Sequence, residues 1–582
     1  MEIRWVLNKK NDKDTASRLA EELKIPESLA DLLISRNITS YENAMRFFKP
    51  SLDDLHDPFL MKDMEKAVER IETAILKKEK VLIFGDYDVD GTSAVALVYS
   101  FLKQFNLELE YYIPDRYDEG YGISFQSIEY AKENNFNLII TLDCGIKCHE
   151  QIKLANDYQI DVVVCDHHFP DTTLPDAYAI LDPKQVDCTY PYKDLSGCGV
   201  GFKLIQAIAI QRNIAFEELK KYLDLVVISI ASDIVNITGE NRILAYYGLK
   251  LINSRPRQAI EYILSFSNIT RKKEFNKNTI FNKEITINDL VFLVGPRINA
   301  AGRMDTGRSS VHLLISDELK KTTQLGELID AHNNDRKELD NKTTREATEQ
   351  IKNNPIFAQR RSLVVYNPEW SKGVIGIVAS RLVEQFYKPT IVLTLFDGII
   401  TGSARSVKEF DLYNALSSCS HLLEHFGGHT FAAGLSLKPE NLENFIHSFE
   451  EIVASTIQEK SLTPTIDIDN EIDLKEINNM YYSILKYFSP FGPGNMSPVF
   501  MTRHVFDAGK ARIVGQNHLK LAIFQKDKRC FPIDAIAFNL GEYYEHIVKG
   551  NPFHICYHIE QNSWQGRDTL QLVIKDIKLD LS

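Results

Sequence analysis

Val81-Leu82-Ile83-Phe84-Gly85-Asp86-Tyr87-Asp88-Val89-Asp90-Gly91 decides how this chain is read. A short apolar run ends in three carboxylates at two-residue spacing. The theme returns twice. Leu138-Ile139-Ile140-Thr141-Leu142 runs into Asp143-Cys144-Gly145, and Val162-Val163-Val164-Cys165 runs into Asp166-His167-His168. Short apolar runs between helical patterns read as buried parallel strands. In open α/β sheets, ligands bind beyond the carboxyl ends of such strands. Carboxylates and imidazoles from three segments are therefore expected on one edge. Carboxylates crowded in a cleft repel each other, and a bound dication relieves that repulsion. Hard carboxylates beside imidazoles suit Mn²⁺ or Mg²⁺, so the pattern reads as a metal site. The D-x-D-x-D-G run also resembles the start of an EF-hand loop. That loop needs a Glu beyond the glycine, and Val95 to Tyr99 supply none.

Working outward, strands alternate with helices from about 64 to 235. Residues 94–99 sit in an apolar helix, and 129–134 and 151–158 read as crossover helices. The result is a βαβ series with a parallel sheet. Residues 1–60 read as a helical lead-in, and 61–265 as the parallel-sheet domain. Residues 266–355 read as a helical connector. There Leu325, Leu328, Ile329, His332, Leu339 and Ile351 fall largely at three- and four-residue steps, predicting a long amphipathic helix. A second α/β domain is expected at 356–460, with its clearest strands at 362–366 and 390–394. From 461 to 582 short strands at 512–514, 519–524, 553–557 and 570–574 predict a small β-barrel. The fold class is α/β, multidomain, with a long connecting helix and a C-terminal barrel.

A chain of 582 residues is too long for one core. Hydrophobic content of 44% and charged content of 25% are ordinary for a globular protein. No apolar run is long enough to span a bilayer, and residues 1–10 lack a signal-peptide core, so a cytoplasmic protein is expected. Eight dispersed cysteines without C-x-x-C pairs argue for reduced thiols and against a zinc site. The net charge of -13 excludes a generally basic nucleic-acid coat but not a local positive groove.

Further runs offer anion contacts. Residues 370–381, Trp-Ser-Lys-Gly-Val-Ile-Gly-Ile-Val-Ala-Ser-Arg, read as a turn feeding a helix whose first amides and Lys372 can hold an anion. Thr401-Gly402-Ser403-Ala404-Arg405-Ser406 follows an apolar strand. Gly427-Gly428-His429-Thr430-Phe431-Ala432-Ala433-Gly434 permits close approach of backbone to a ligand. Gly295-Pro296-Arg297-Ile298-Asn299-Ala300-Ala301-Gly302-Arg303 carries arginines suited to phosphate.

Gly-Asp-Tyr-Asp-Val-Asp-Gly-Thr (85–92), Leu-Asp-Cys-Gly (142–145), Asp-His-His (166–168) and Ala-Ser-Asp-Ile-Val (231–235) resemble the four motifs of the DHH phosphoesterase superfamily. Their order and spacing resemble its bacterial single-strand-specific exonucleases, over most of the chain. The resemblance implies a DHH catalytic domain, a DHHA1-type domain and a C-terminal OB-fold. It makes Asp88, Asp90, Asp143, His167 and Asp233 the ligands of two divalent metals, Mn²⁺ or Mg²⁺. Simpler members of the superfamily carry a histidine four residues before the first ligand aspartate. Phe84 stands there, which leaves that metal position unfilled or hands it to Asp86, either a further ligand or a group behind the ligands. His168 is expected to face the scissile phosphate. Ser403, Arg405 and His429 are expected to line the substrate side of the cleft. Arg303 and Arg405 would contact phosphate, and Arg116 would help to recognise the 5′ end. Trp564, Tyr557 and Phe524 are candidate stacking platforms of the OB-fold.

The activity implied is 5′→3′ hydrolysis of single-stranded DNA to mononucleotides by a two-metal mechanism, in recombination and repair. Single-stranded DNA is the implied partner of a monomer without a membrane role, beside a helicase and a single-strand-binding protein. Two other readings compete with it. One is a DHH phosphodiesterase acting on short oligonucleotides or cyclic dinucleotides. The other is a replication scaffold with an inactive site.

Overall fold

Buried parallel strands are what the apolar runs dictate, and the computed structural model contains them. It describes residues 3–8, 12–276, 279–304, 307–316, 318–526, 531–564 and 567–579, without the side chains of 273–276, 301, 303, 304, 563, 564, 567 and 568. The chain forms two compact units, Leu7–Asp330 with Ile468–Ser582, and Met1–Val6 with Ala331–Asp467.

In the larger unit β1 (Lys80–Gly85) leads into helix α1 (Val89–Leu102). Strands β2 (Glu108–Tyr112), β3 (Leu138–Leu142), β4 (Asp161–Cys165) and β5 (Ala179–Leu181) follow, then helices α2 (Gly197–Gln211) and α3 (Leu223–Ser232). The sheet order is β2-β1-β3-β4-β5, parallel throughout. Side chains alternate between its faces. Val81, Ile83, Leu138, Ile140 and Val163 pack toward α1, α2 and α3. Leu82, Phe84, Ile139, Val162 and Val164 pack on the other side with helices Phe125–Glu133 and His149–Asp157. Both faces are covered, which is why the strands are apolar without alternation. The order reverses between β1 and β3, so their carboxyl ends frame the crevice expected of such sheets.

A 35-residue helix, α4 (Leu319–Asn353), occupies the place of the expected connecting helix. The region before it is less helical than its sequence predicts. Arg271–Asn276 and Thr279–Phe281 pair as antiparallel strands, because Thr279, Ile280 and Phe281 bury themselves. The smaller unit contains β6 (Leu363–Tyr366), α5 (Ile375–Phe386), β7 (Thr390–Phe396), β8 (Ile399–Arg405), β9 (His425–His429) and β10 (Ala432–Leu437). Its sheet order is β9-β10-β8-β7-β6, with only β6 and β7 parallel.

The C-terminal strands are β11 (Phe500–Asp507), β12 (His518–Phe524), β13 (Ile533–Ala537), β14 (Phe553–Trp564) and β15 (Arg567–Leu579). They pair in the order β11-β14-β15-β13-β12, and Phe506 opposite Phe524 closes the ring. This is the expected small barrel. Its core takes in Leu19, Leu29, Leu32 and Leu33 from the N-terminal helices.

Arg242 ties these parts of the larger unit together. It is 4% exposed, and Phe47 stacks on its guanidinium. Its N–H groups donate to the carbonyls of Phe47, Tyr487, Phe488, Ser489 and Pro490 at 2.9–3.3 Å. A rigid fork of donors suits this cage, and a lysine cannot reproduce it. Arg242→Ala leaves buried carbonyls unpaired, and its expected cost is about 3 kcal/mol of unfolding free energy. A urea melt followed by tryptophan fluorescence measures the shift in midpoint.

Candidate metal centre

Strand ends and helix ends deliver the site. Asp86 and Asp88 follow β1, Asp90 lies in the first turn of α1, Asp143 follows β3, Asp166 and His167 follow β4, and Asp233 caps α3. Asp88 is the N-cap of α1, and its Oδ1 accepts the Gly91 amide at 3.0 Å. Asp90 is gripped more tightly. Its carboxylate accepts the amides of Gly197 and Cys198 and the Ser229 hydroxyl, each at 2.7 Å. Those amides open α2, so Asp90 sits as an anion on a helix N-terminus. Gly197 is required there. A Cβ at that position would lie 2.6 Å from the Asp143 Cβ.

His167 is the hub. Its Nε2 lies 3.1 Å from Asp143 Oδ1, 3.6 Å from Asp233 Oδ2 and 3.8 Å from Asp90 Oδ2. Both of its ring nitrogens are buried without a hydrogen-bond partner, as are Asp143 Oδ1 and Asp86 Oδ2. Buried polar atoms are almost always paired. Burial lowers the His167 pKa to about 4, so the ring is neutral, the form that binds metal. Burial, then the charges of Asp90, Asp88 and Asp233, pushes Asp143 well above the usual carboxylate range. Asp233 is raised by burial and by Asp90 and Asp88, Asp86 by burial and Asp88, and Asp88 by burial and Asp90. Asp90, His167 and Asp233 present donor atoms close enough to share one cation, as do Asp143, His167 and His168. The unpaired atoms, the neutral imidazole and the mutually repelling carboxylates fit hard divalent cations with some nitrogen ligation.

His168 takes another role. Its Nδ1 lies 2.7 Å from Asp166 Oδ1. Burial opposes ionisation of the ring, but that bond outweighs it and raises the pKa to about 9, leaving an imidazolium at neutral pH. Asp166 also accepts the amides of Ile146, His167 and His168. It orients the histidine pair. Arg116 lies over the Tyr87 ring at 4.9 Å and is near enough to Asp86 to favour its charged form.

Three groups here escaped the sequence reading. Tyr121 donates to the Asp143 carbonyl at 3.0 Å and lies 3.2 Å from His168 Nε2. Asp182 follows β5, with burial raising its pKa to about 7 and one oxygen unpaired. Lys184, anchored by its amide to Asp182 at 2.7 Å, donates its ammonium to the His167 carbonyl. Only Asp182 has a sequence signal, the brief Ala179-Ile180-Leu181 run before it.

In the smaller unit, the run follows the apolar strand β7 as expected, and Ser403 and Arg405 lie on the next strand, β8. Arg405 donates to Ser403 Oγ at 3.1 Å and to the Ala404 carbonyl at 2.8 Å. Among the described residues no carboxylate forms an ion pair with it, and burial lowers its pKa. A Cβ on Gly376 would stand 3.3 Å from its Nη2, so the guanidinium sits against the first turn of α5. A cation facing a positive helix end is an arrangement suited to an anion. Ser403, Gly434 and Gly427 form one cross-strand row. Side chains added at either glycine would meet nothing within 4 Å. His429 ends β9, and its Nδ1 accepts the Phe431 amide at 3.3 Å.

Other expectations fare differently. Arg297 is a structural arginine, paired with Asp330 at 2.8 Å. Tyr557 is no surface platform. It is fully buried in the barrel core, 2.7 Å from the Thr502 hydroxyl, because its strand turns that position inward. Phe524 is half-buried against Phe506. The side chains of Arg303 and Trp564 lie outside the described residues.

Residues 80–230 match a model described as the DHH family, N-terminal domain, and 359–455 match the DHHA1 domain. Residues 468–576 match the RecJ OB domain. The chain is 35% identical over 577 residues to the single-stranded-DNA-specific exonuclease RecJ of Bacillus subtilis (strain 168), covering 99% of this chain and 70% of that protein. The chain belongs to the RecJ family. RecJ of Haemophilus influenzae is 32% identical over 549 residues, covering 91% of this chain and 92% of its own. The crystal structure of RecJ in complex with Mn²⁺ from Thermus thermophilus shares the fold at a TM-score of 0.83. It is 21% identical, and the match covers 100% of this chain and 80% of that one. A barrel matching the RecJ OB domain, and acidic and histidine groups able to hold a metal, disfavour the short-oligonucleotide and inactive-scaffold readings. Among the described residues no helix is long and apolar enough to cross a membrane.

Proposed function

We propose that this chain is a metal-dependent, single-stranded-DNA-specific exonuclease that proceeds 5′→3′ and releases mononucleotides. The observation that carries the reading is the His167 ring, neutral, buried and unpaired among Asp90, Asp143 and Asp233. Asp86, Asp88, Asp90, Asp143, His167 and Asp233 would hold two cations, Mn²⁺ or Mg²⁺. Divalent cations so bound supply Lewis-acid stabilisation of an in-line displacement at phosphorus and lower the pKa of water.

The protein's own groups do the rest. Helix α2 fixes Asp90, and Asp166 fixes the His167–His168 pair. His168, protonated, offers positive charge to a non-bridging phosphate oxygen. Arg116, steadied by Tyr87, offers a bidentate grip on a strand's phosphate. Arg405, Ser403 and His429 form an anion grip in the smaller unit, and the glycine row leaves room for a backbone above Ser403. Arg303 and Trp564 are proposed contacts for phosphate and base. Arg405→Ala is expected to lower kcat/KM on 5′-phosphorylated strands by about tenfold or more, with less loss on 5′-hydroxyl strands. Initial rates on the two substrates measure this, and equal losses would remove Arg405 from end recognition.

A strand-specific nuclease needs unwound DNA, which favours a helicase and a single-strand-binding protein as companions in recombination and repair. A monomer in the cytoplasm suits that work and suits the free thiols of Cys144, Cys148, Cys165, Cys188, Cys198, Cys419 and Cys556. The direct test uses Mn²⁺ and oligonucleotides labelled at either end, beside duplex, RNA and chelated controls. Early release of the 5′ label as a mononucleotide, from single strands only, is expected. Early release of the 3′ label would reverse the polarity.

A further inference from the structure

Phe169 directly follows the His167–His168 pair, yet it is 74% exposed. Its ring has a cation beside it. The Lys184 ammonium lies 4.9 Å from the ring centre. The same ammonium donates to the carbonyl of His167. Further along the loop, Asp171 meets Lys147 at 4.0 Å and His149 at 3.7 Å. Lys184 thus borders the ring on one side, the ion pairs of Asp171 steady the loop beyond it, and the ring shows a broad apolar surface to solvent.

Its surroundings share that character. Ile234, next to Asp233, is 65% exposed and has φ of 58°, which is costly for a β-branched residue. Tyr121, bonded to the Asp143 carbonyl and beside His168, is 53% exposed. Large apolar side chains from three segments therefore border a cluster of charges. Two residues of chain span at most about 7 Å, so Phe169 lies within a nucleotide's reach of His167.

We propose that Phe169, steadied by Lys184, is a stacking platform for the nucleobase of the nucleotide at the reacting end. This rests on the exonuclease reading above. Aromatic stacking accepts purines and pyrimidines alike, because every base has a π-face. It needs a base freed from its neighbour, which a paired duplex end does not offer without cost. Lys184, beside the ring, adds positive charge where the backbone of that nucleotide would pass.

The test pairs a variant with a modified substrate. Wild type and Phe169→Ala are compared on single strands carrying either a normal nucleotide or an abasic site at the reacting end. Phe169→Ala is expected to lower kcat/KM on normal strands about tenfold, mostly through KM. Wild type is expected to lose a similar factor on the abasic strand, where the variant loses little more. Phe169→Trp is expected to keep near wild-type rates on normal strands. An unchanged Phe169→Ala, or equal losses of both proteins on the abasic strand, would overturn the platform while leaving the exonuclease intact. No cleavage by wild type would overturn both readings. Thermal melting of Phe169→Ala is expected to match wild type, since the side chain is largely in solvent.

Discussion

Asp143→Ala is expected to lower the single-turnover rate on single-stranded DNA by about a thousandfold or more. A divalent cation contributes several kcal/mol of transition-state stabilisation, and each ~1.4 kcal/mol is tenfold in rate. Asp143 stands at the centre of the cluster. It is 3.1 Å from His167, and its ionisation is opposed by burial and then by Asp90, Asp88 and Asp233. The backbone aims it there through a left-handed conformation, φ 62°, which an aspartate tolerates better than most residues. Gly197 packs against the Asp143 Cβ, which alanine retains, so the fold should persist. Rapid-quench measurement at saturating Mn²⁺ checks the rate, and circular dichroism checks the fold. A loss below about tenfold would remove Asp143 from the ligand set.

Metal and charge also set stability, and here the expected sign reverses with conditions. Without metal, burial and the charges of neighbouring carboxylates, Asp90 and Asp88 foremost, oppose ionisation of Asp86, Asp88, Asp143 and Asp233. Removing one charge at constant shape should relieve that repulsion. Chelated Asp143→Asn is therefore expected to melt above chelated wild type. With Mn²⁺ the order inverts. A ligand bound only by the folded state at about a hundred times its Kd stabilises by about 2.7 kcal/mol, and wild type gains this in full while the variant does not. Calorimetry of both proteins, with chelator and with Mn²⁺, reads the crossing. A variant that melts below wild type in both conditions would mean that the carboxylates are paired by the protein itself.

The parallel sheet and most of the cluster were legible because buried strands are written as continuous apolar runs, and the residue after each run must stand at the same sheet edge. That logic reached Asp86, Asp143 and His167. It missed Asp182, whose strand is only Ala179-Ile180-Leu181, too short to register as a run. It missed the role of Asp166, because nothing in Asp-His-His says which member binds and which orients. Tyr121 and Lys184 act through hydrogen bonds to main-chain carbonyls, and such contacts leave no pattern in sequence. The glycines at 427 and 434 read as places where a ligand approaches the backbone closely, and they lie in paired strands with open space beside them. Tyr557 shows the limit of reading aromatics, since alternation along a strand does not say which face is the core.

The proposed exonuclease site places two divalent cations among the carboxylates around His167. Electron paramagnetic resonance of the full chain titrated with Mn²⁺ tests it most directly. Two ions per chain, with the broadened signal of an exchange-coupled pair that His167→Ala abolishes, is the result the proposed two-metal site predicts. A single uncoupled ion, or binding unchanged by His167→Ala, would contradict it.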